Sequence, residues 1–213
     1  MTNSKSPSRS LLTLFGLTLA AVFIWSGINP HDRFTWFLEV SPVIIGMIAL
    51  AVTYLRFPLT PLAYGCIWLH AIILCVGGKY TYAEVPLGEW AKEAFDLSRN
   101  HYDRLGHVAQ GFFPAIIARE IFIRCSPIKT GGWLFFVVTC YCLAFSAFFE
   151  MIEWWVAVAS GSDADAYLAT QGDVWDTQWD MFLCWIGAMM AQLLLARLHN
   201  RQLQQATLGT AIT

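Results

Sequence analysis

Six long apolar runs decide what this chain can fold into. They cover about residues 11–28, 37–55, 59–76, 105–123, 132–156 and 177–198. A helix needs about 20 mostly apolar residues to cross a hydrocarbon core of about 30 Å. It also satisfies its own backbone hydrogen bonds, which lipid cannot do. Runs of this length, joined by short connections, predict an all-α fold: a polytopic transmembrane helical bundle of about six spans. Composition agrees, with 57% of residues hydrophobic and 13% charged, against about 25% charged in ordinary globular chains. The 213 residues are taken up by the spans, and a net charge of −2 gives no reason to expect a nucleic-acid partner. The six cysteines show neither metal-ligand spacing nor a disulfide framework.

The runs form one transmembrane domain, residues 11–198, between tails at 1–10 and 199–213. Lys5 and Arg9 before the first run also suit a signal peptide. The run is long for one and lacks a small-residue cleavage site, which favours a retained anchor. Lys and Arg near span ends favour the cytoplasm. Lys5, Arg9, Arg56, Arg124, Lys129, Arg197 and Arg201 fall on one side, while the loop 161–176 carries neither residue type. Both tails are therefore expected inside, with that loop outside. Between spans three and four, Trp90, Ala94 and Leu97 share a helical face, with Glu89, Lys92, Glu93 and Asp96 around the rest. This predicts a short amphipathic helix at the outer interface.

Against this apolar background, the ionisable residues carry the functional signal. A charge within hydrocarbon costs roughly 2.5–3.5 kcal/mol on insertion scales, so such residues mark functional sites. Asp103 and His107, with Gln110 a turn further on, Glu150 and Glu153, and Asp176 and Asp180 each share one helix face. Threading places all of them at the outer ends of spans four, five and six, with Glu39 at the same level and His70 deeper. Glu150 falls roughly 9 Å inside its span at about 1.5 Å per residue.

Carboxylates gathered in this way are either partly protonated or share a cation. Asp103, His107, Glu150, Glu153, Asp176 and Asp180 are the candidate ligands of a divalent metal. Glu150, His107 and Asp180 are the candidate catalytic groups, by metal-assisted or general acid–base chemistry. Gln110, Arg104, Trp154 and Trp179 are the candidates to hold a substrate's polar group.

Each member also has a plainer reading. Asp103 and Asp176 suit helix N-caps, His107 a hydrogen-bonded structural histidine, and the tryptophans an interfacial belt. Gly111, Pro114 and Gly187 suit close packing or a kink. Glu120 and Arg124 read as an i,i+4 pair steadying a helix end. Asp163 and Asp165 begin something like a calcium loop, but Tyr167 and Leu168 occupy the places where a ligand and a glycine are expected.

Three segments carry a resemblance. Tyr102-Asp103-Arg104-Leu105-Gly106-His107-Val108-Ala109-Gln110-Gly111, Glu150-Met151-Ile152-Glu153-Trp154 and Gly172-Asp173-Val174-Trp175-Asp176-Thr177-Gln178-Trp179-Asp180-Met181 resemble the bacterial YjdF family. The resemblance runs over essentially the whole chain. It implies a multi-pass protein of the bacterial inner membrane and attaches no reaction to it. Asp103, His107, Glu150 and Asp180 are also similar in order to a pattern in VanZ-like membrane proteins, whose later Asn and Arg have no clear counterpart here.

The function expected is a membrane-embedded site that binds or hydrolyses a lipid or envelope amphiphile, with membrane lipids as partners. A small transporter or channel is the first alternative, although the inner halves of the spans offer almost no polar path. A structural or assembly protein whose polar cluster only locks helices is the second.

Overall fold

The computed structural model describes residues 8–160, 168 and 170–210. Residues 1–7 and 211–213 of the expected tails, and the Asp163/Asp165 pair, lie outside the described residues. Among those described there are seven helices: α1 (Arg9–Gly27), α2 (Arg33–Thr53), α3 (Pro61–Lys79), α4 (Pro86–Ala94), α5 (Tyr102–Cys125), α6 (Gly132–Ser160) and α7 (Asp176–Thr210). Five of them, α1, α2, α3, α6 and α7, are long and apolar enough to cross a membrane. The chain is a helical membrane bundle.

Local chemistry sets the helix starts. Ser8, Asp32 and Thr60 cap α1, α2 and α3 through their side-chain oxygens, and Pro61 opens α3. The Thr35 amide donates to Asp32 Oδ1 at 2.6 Å and holds that carboxyl below its ordinary range. Inside α2, Pro42 cannot donate to the Leu38 carbonyl; the Ser41 hydroxyl does so instead at 2.7 Å.

The fourth expected span, α5, is not among these five. With 24 residues α5 is long enough to cross, but it carries Asp103, Arg104, Arg119, Glu120 and Arg124. It lies centrally, packed on α3, α6 and α7, and these neighbours bury Asp103, Arg119 and Glu120, while Arg104 is partly covered and Arg124 exposed. Two glycines bring α5 and α7 together. A Cβ on Gly111 would stand 1.8 Å from the Cys184 carbonyl oxygen, and one on Gly187 would stand 2.2 Å from that of Val108. This is small-residue packing of the kind that drives helix association in lipid.

The expected amphipathic helix exists as α4. It ends at Ala94, so Leu97 is not part of it. Its Asn100-side edge is tied down, because Asn100 Nδ2 donates to the Val85 carbonyl and to Glu89 Oε1, both at 3.1 Å.

At the bundle end where α3 and α6 begin, Glu120 does more than steady a helix terminus. It is fully buried and accepts from the Thr60 amide (3.1 Å), Thr60 Oγ1 (2.7 Å), Arg124 Nη1 (2.8 Å) and His199 Nε2 (3.1 Å). Arg119 adds contacts to His199 Nδ1 at 2.9 Å and Asn200 Oδ1 at 2.6 Å. Three helices are thereby locked by polar groups that satisfy one another.

Candidate functional site

The opposite end of the bundle gathers the residues predicted from sequence. Asp103 and His107 come from the first two turns of α5, Glu150 from α6, and Asp176 and Asp180 from the start of α7; all five are buried. The close α5–α7 approach is what makes this convergence possible. His107 and Asp180 each sit one turn before the Gly111–Cys184 contact.

The His107 ring is the centre. Its Nδ1 stands 3.1 Å from Gln110 Oε1 and 3.9 Å from Glu150 Oε1. Its Nε2 stands 3.6 Å from Asp103 Oδ1 and 3.8 Å from Asp180 Oδ1. With the Gln110 oxygen as acceptor, Nδ1 donates and Nε2 faces the two aspartates.

Asp176 is engaged elsewhere, since Arg99 Nη1 donates to its Oδ1 at 2.5 Å. Arg99 Nη2 also lies 3.7 Å from Asp103 Oδ2. Arg104 Nη2 donates to Asp173 Oδ2 at 2.6 Å and its guanidinium lies over the Trp179 ring, 5.3 Å from the centroid. Capping explains neither paired aspartate as simply as the sequence allowed. The residue before α5 is His101, with no side-chain cap bond, and Asp103 lies inside the first turn. Asp176 is the first residue of α7, with its carboxylate on Arg99.

Glu150 stands deeper than expected, because α6 continues to Ser160; it is ten residues, about 15 Å, from that end. Glu153, half-buried, and Glu39, buried, face the same space. Tyr82, from the α3–α4 connection, closes it beside Glu39; burial first, then the Glu39 charge, pushes its phenol up. Trp154 is largely exposed on the outer surface of α6 and lines no part of this space.

From this cluster a cavity of about 470 Å³ runs along the bundle between α2 and α6, floored by α3 and α5. One end has Glu39, Asp103, His107, Gln110 and Glu153, and the rest is almost wholly apolar, from Val43 and Ala71 to Thr53 and Ile121. Residues 107–121 of α5 line it over about 21 Å. Met47, Ile121, Tyr141 and Phe145 line the cavity and are also exposed, so it opens sideways. α2 packs chiefly on α3, which leaves the flank toward α6 open. His70 lies partway along, its Nε2 buried without a hydrogen bond.

Residues 11–201 match the family described as predicted membrane protein (DUF2238). The chain belongs to that family. It is also 51% identical over 200 residues to the inner membrane protein YjdF of Escherichia coli (strain K12), covering 94% of this chain and 96% of that one. No solved structure matches. Neither finding bears on the likeness to VanZ-like proteins.

In this DUF2238 chain the sequence reading missed Arg99 and Asp173 as parts of the site. Arg99 lies in the loop before α5, so no helical spacing announces its approach to Asp103 and Asp176. Asp173 gave no signal either, since only folding brings it to Arg104.

Proposed function

We propose that this protein holds a membrane amphiphile, its chain in the groove between α2 and α6 and its polar group at the His107 cluster, and acts on that polar group there. The observation that carries the reading is the groove itself, apolar along its length, open sideways, and ending on buried carboxylates and a histidine. Lipid tails are the apolar solvent on the open flank. A tail gains little by moving from bilayer to groove, as both are apolar. The groove therefore orients the molecule, and the polar end supplies discrimination. A length of about 21 Å exceeds one leaflet's half of a core of about 30 Å.

On this reading His107, backed by Glu150 and Asp180, carries proton transfer or hydrolysis and Gln110 orients the polar group; of these only His107 and Gln110 line the groove, and Arg104 does not. The relative's description as an inner membrane protein supports a bacterial inner-membrane location. The Lys/Arg distribution supports cytoplasmic tails and an outward-facing cluster.

A purely structural cluster is disfavoured by contrast with Glu120. There every carboxylate oxygen accepts hydrogen bonds, whereas Glu150 Oε1 and Asp180 Oδ1 are buried with none. Buried polar groups that serve only to lock helices have no reason to stay unsatisfied.

The test is photolabelling in nanodiscs with a phospholipid bearing a tail diazirine. Labels concentrated on Met47, Ile121 and Tyr141, and lost from them in Gly46→Trp, support the groove. Gly46 lines the groove and nothing lies within 4 Å of a Cβ added there. Labels spread equally over outward residues such as Trp133 and Leu193 would rule the reading out.

A further inference from the structure

The cluster around His107 is held apart in a way that ion pairs alone do not explain. Ring nitrogen to carboxylate distances of 3.6 and 3.8 Å exceed charge-assisted hydrogen bonds, which close to about 2.7–2.9 Å. One donor atom each from Asp103, His107 and Asp180 lies within 4.8 Å of the others. Ligands of a shared metal stand at most about 4.4 Å apart when bonds are about 2.2 Å, and about 5.2 Å when they are about 2.6 Å. The two ring-to-carboxylate distances fall within both limits, and the 4.8 Å bound lies between them, so a cation with bonds of about 2.2 Å requires the two aspartates to draw in by a few tenths of an ångström.

Three further observations agree. Asp180 Oδ1, the oxygen that faces the ring, is buried without a hydrogen bond on a residue more than nine-tenths buried. The Gln110 oxygen fixes the ring so that Nε2, facing both aspartates, is the free donor; such outer partners are how ligating histidines are oriented. Carboxyl groups also outnumber the fixed cations. Glu39, Asp103, Glu150, Glu153, Asp173, Asp176 and Asp180 gather near Arg99 and Arg104, which already engage Asp176 and Asp173.

We infer that Asp103, His107 Nε2 and Asp180 bind one divalent cation of the Mn²⁺ or Zn²⁺ type, which accepts mixed imidazole and carboxylate donors. Glu150, on the other edge of the ring, and Asp176, held by Arg99, lie outside the ligand set. The cation gives a carboxylate-lined site the means to accept an anionic polar group, by bridging it and polarising its oxygen. The inference deepens the functional reading above but is measured on metal alone, so the two can fail separately.

The experiment uses the full chain in detergent, stripped with chelator and reloaded with Mn²⁺ or Zn²⁺, with metal content by mass spectrometry and bound Mn²⁺ by electron paramagnetic resonance. One metal per chain is expected in wild type, Glu150→Gln and Gly46→Trp. His107→Gln and Asp180→Asn should weaken binding by more than tenfold. Should either fail to fold, Gln110→Leu keeps all three ligands and is expected to weaken binding about 10–100-fold, the ordinary effect of losing such a partner. Wild type that binds no stoichiometric metal, or full binding in His107→Gln, Asp180→Asn and Gln110→Leu, overturns the inference.

Discussion

Gly111→Ala tests whether the α5–α7 approach builds the site. A Cβ there would meet the Cys184 carbonyl oxygen at 1.8 Å, and real Cβ atoms essentially never come within 3.0 Å of a neighbour. The obstacle is backbone, so no rotamer change relieves it, and the helices must part by about 1.2 Å locally, the difference between those two distances. His107 and Asp180 sit one turn away on the two helices. Parting of that size takes their 3.8 Å separation to about 5 Å. Overpacking of this kind costs about 1–3 kcal/mol, or roughly 2–4 °C of melting temperature per kcal/mol for a chain of this size.

Thermal unfolding in detergent, followed by tryptophan fluorescence, gives the first readout and metal affinity the second. The expected outcome is a melting temperature lowered by about 2–12 °C and metal binding weakened with it. Gly46→Ala, where nothing lies within 4 Å of the added Cβ, should leave both unchanged. A Gly111→Ala protein with wild-type melting and wild-type metal affinity would refute the claim that this contact sets the cluster's geometry.

Two other substitutions separate the roles of the bundle's two ends. Glu120→Ala strands the Thr60, Arg124 and His199 donors, and breaking such a buried cluster costs about 3–5 kcal/mol; a large loss in melting temperature is expected, with unchanged Mn²⁺ affinity in whatever folds. Arg99→Met leaves Asp176 and Asp103 without their cation, and a double-mutant cycle with Asp176→Asn should recover much of the lost stability. Additive losses in that cycle would mean the 2.5 Å ion pair contributes nothing measurable.

The fold was largely legible because hydrocarbon allows so few alternatives: once the apolar runs are long enough, helices follow. The convergence of α5, α6 and α7 was legible too, since alternation of helix direction puts Asp103, Glu150 and Asp180 at one end. Three things were not. The central place of α5 depends on which helices cover its charges, and Arg119 and Glu120 look like end residues until His199 and Thr60 are brought to them. Arg99 reads as loop charge until folding buries it against Asp176. The groove is a gap between α2 and α6, and a gap between elements leaves no mark on the periodicity of either.

Whether the groove between α2 and α6 holds a lipid chain whose polar group reaches His107 is decided by an experimental structure of the full chain in lipid nanodiscs. Continuous chain-like density between Met47 and Tyr141, ending within contact of His107 and Gln110, is expected. A groove collapsed by closure of α2 onto α6, with the cluster sealed from lipid, would contradict it.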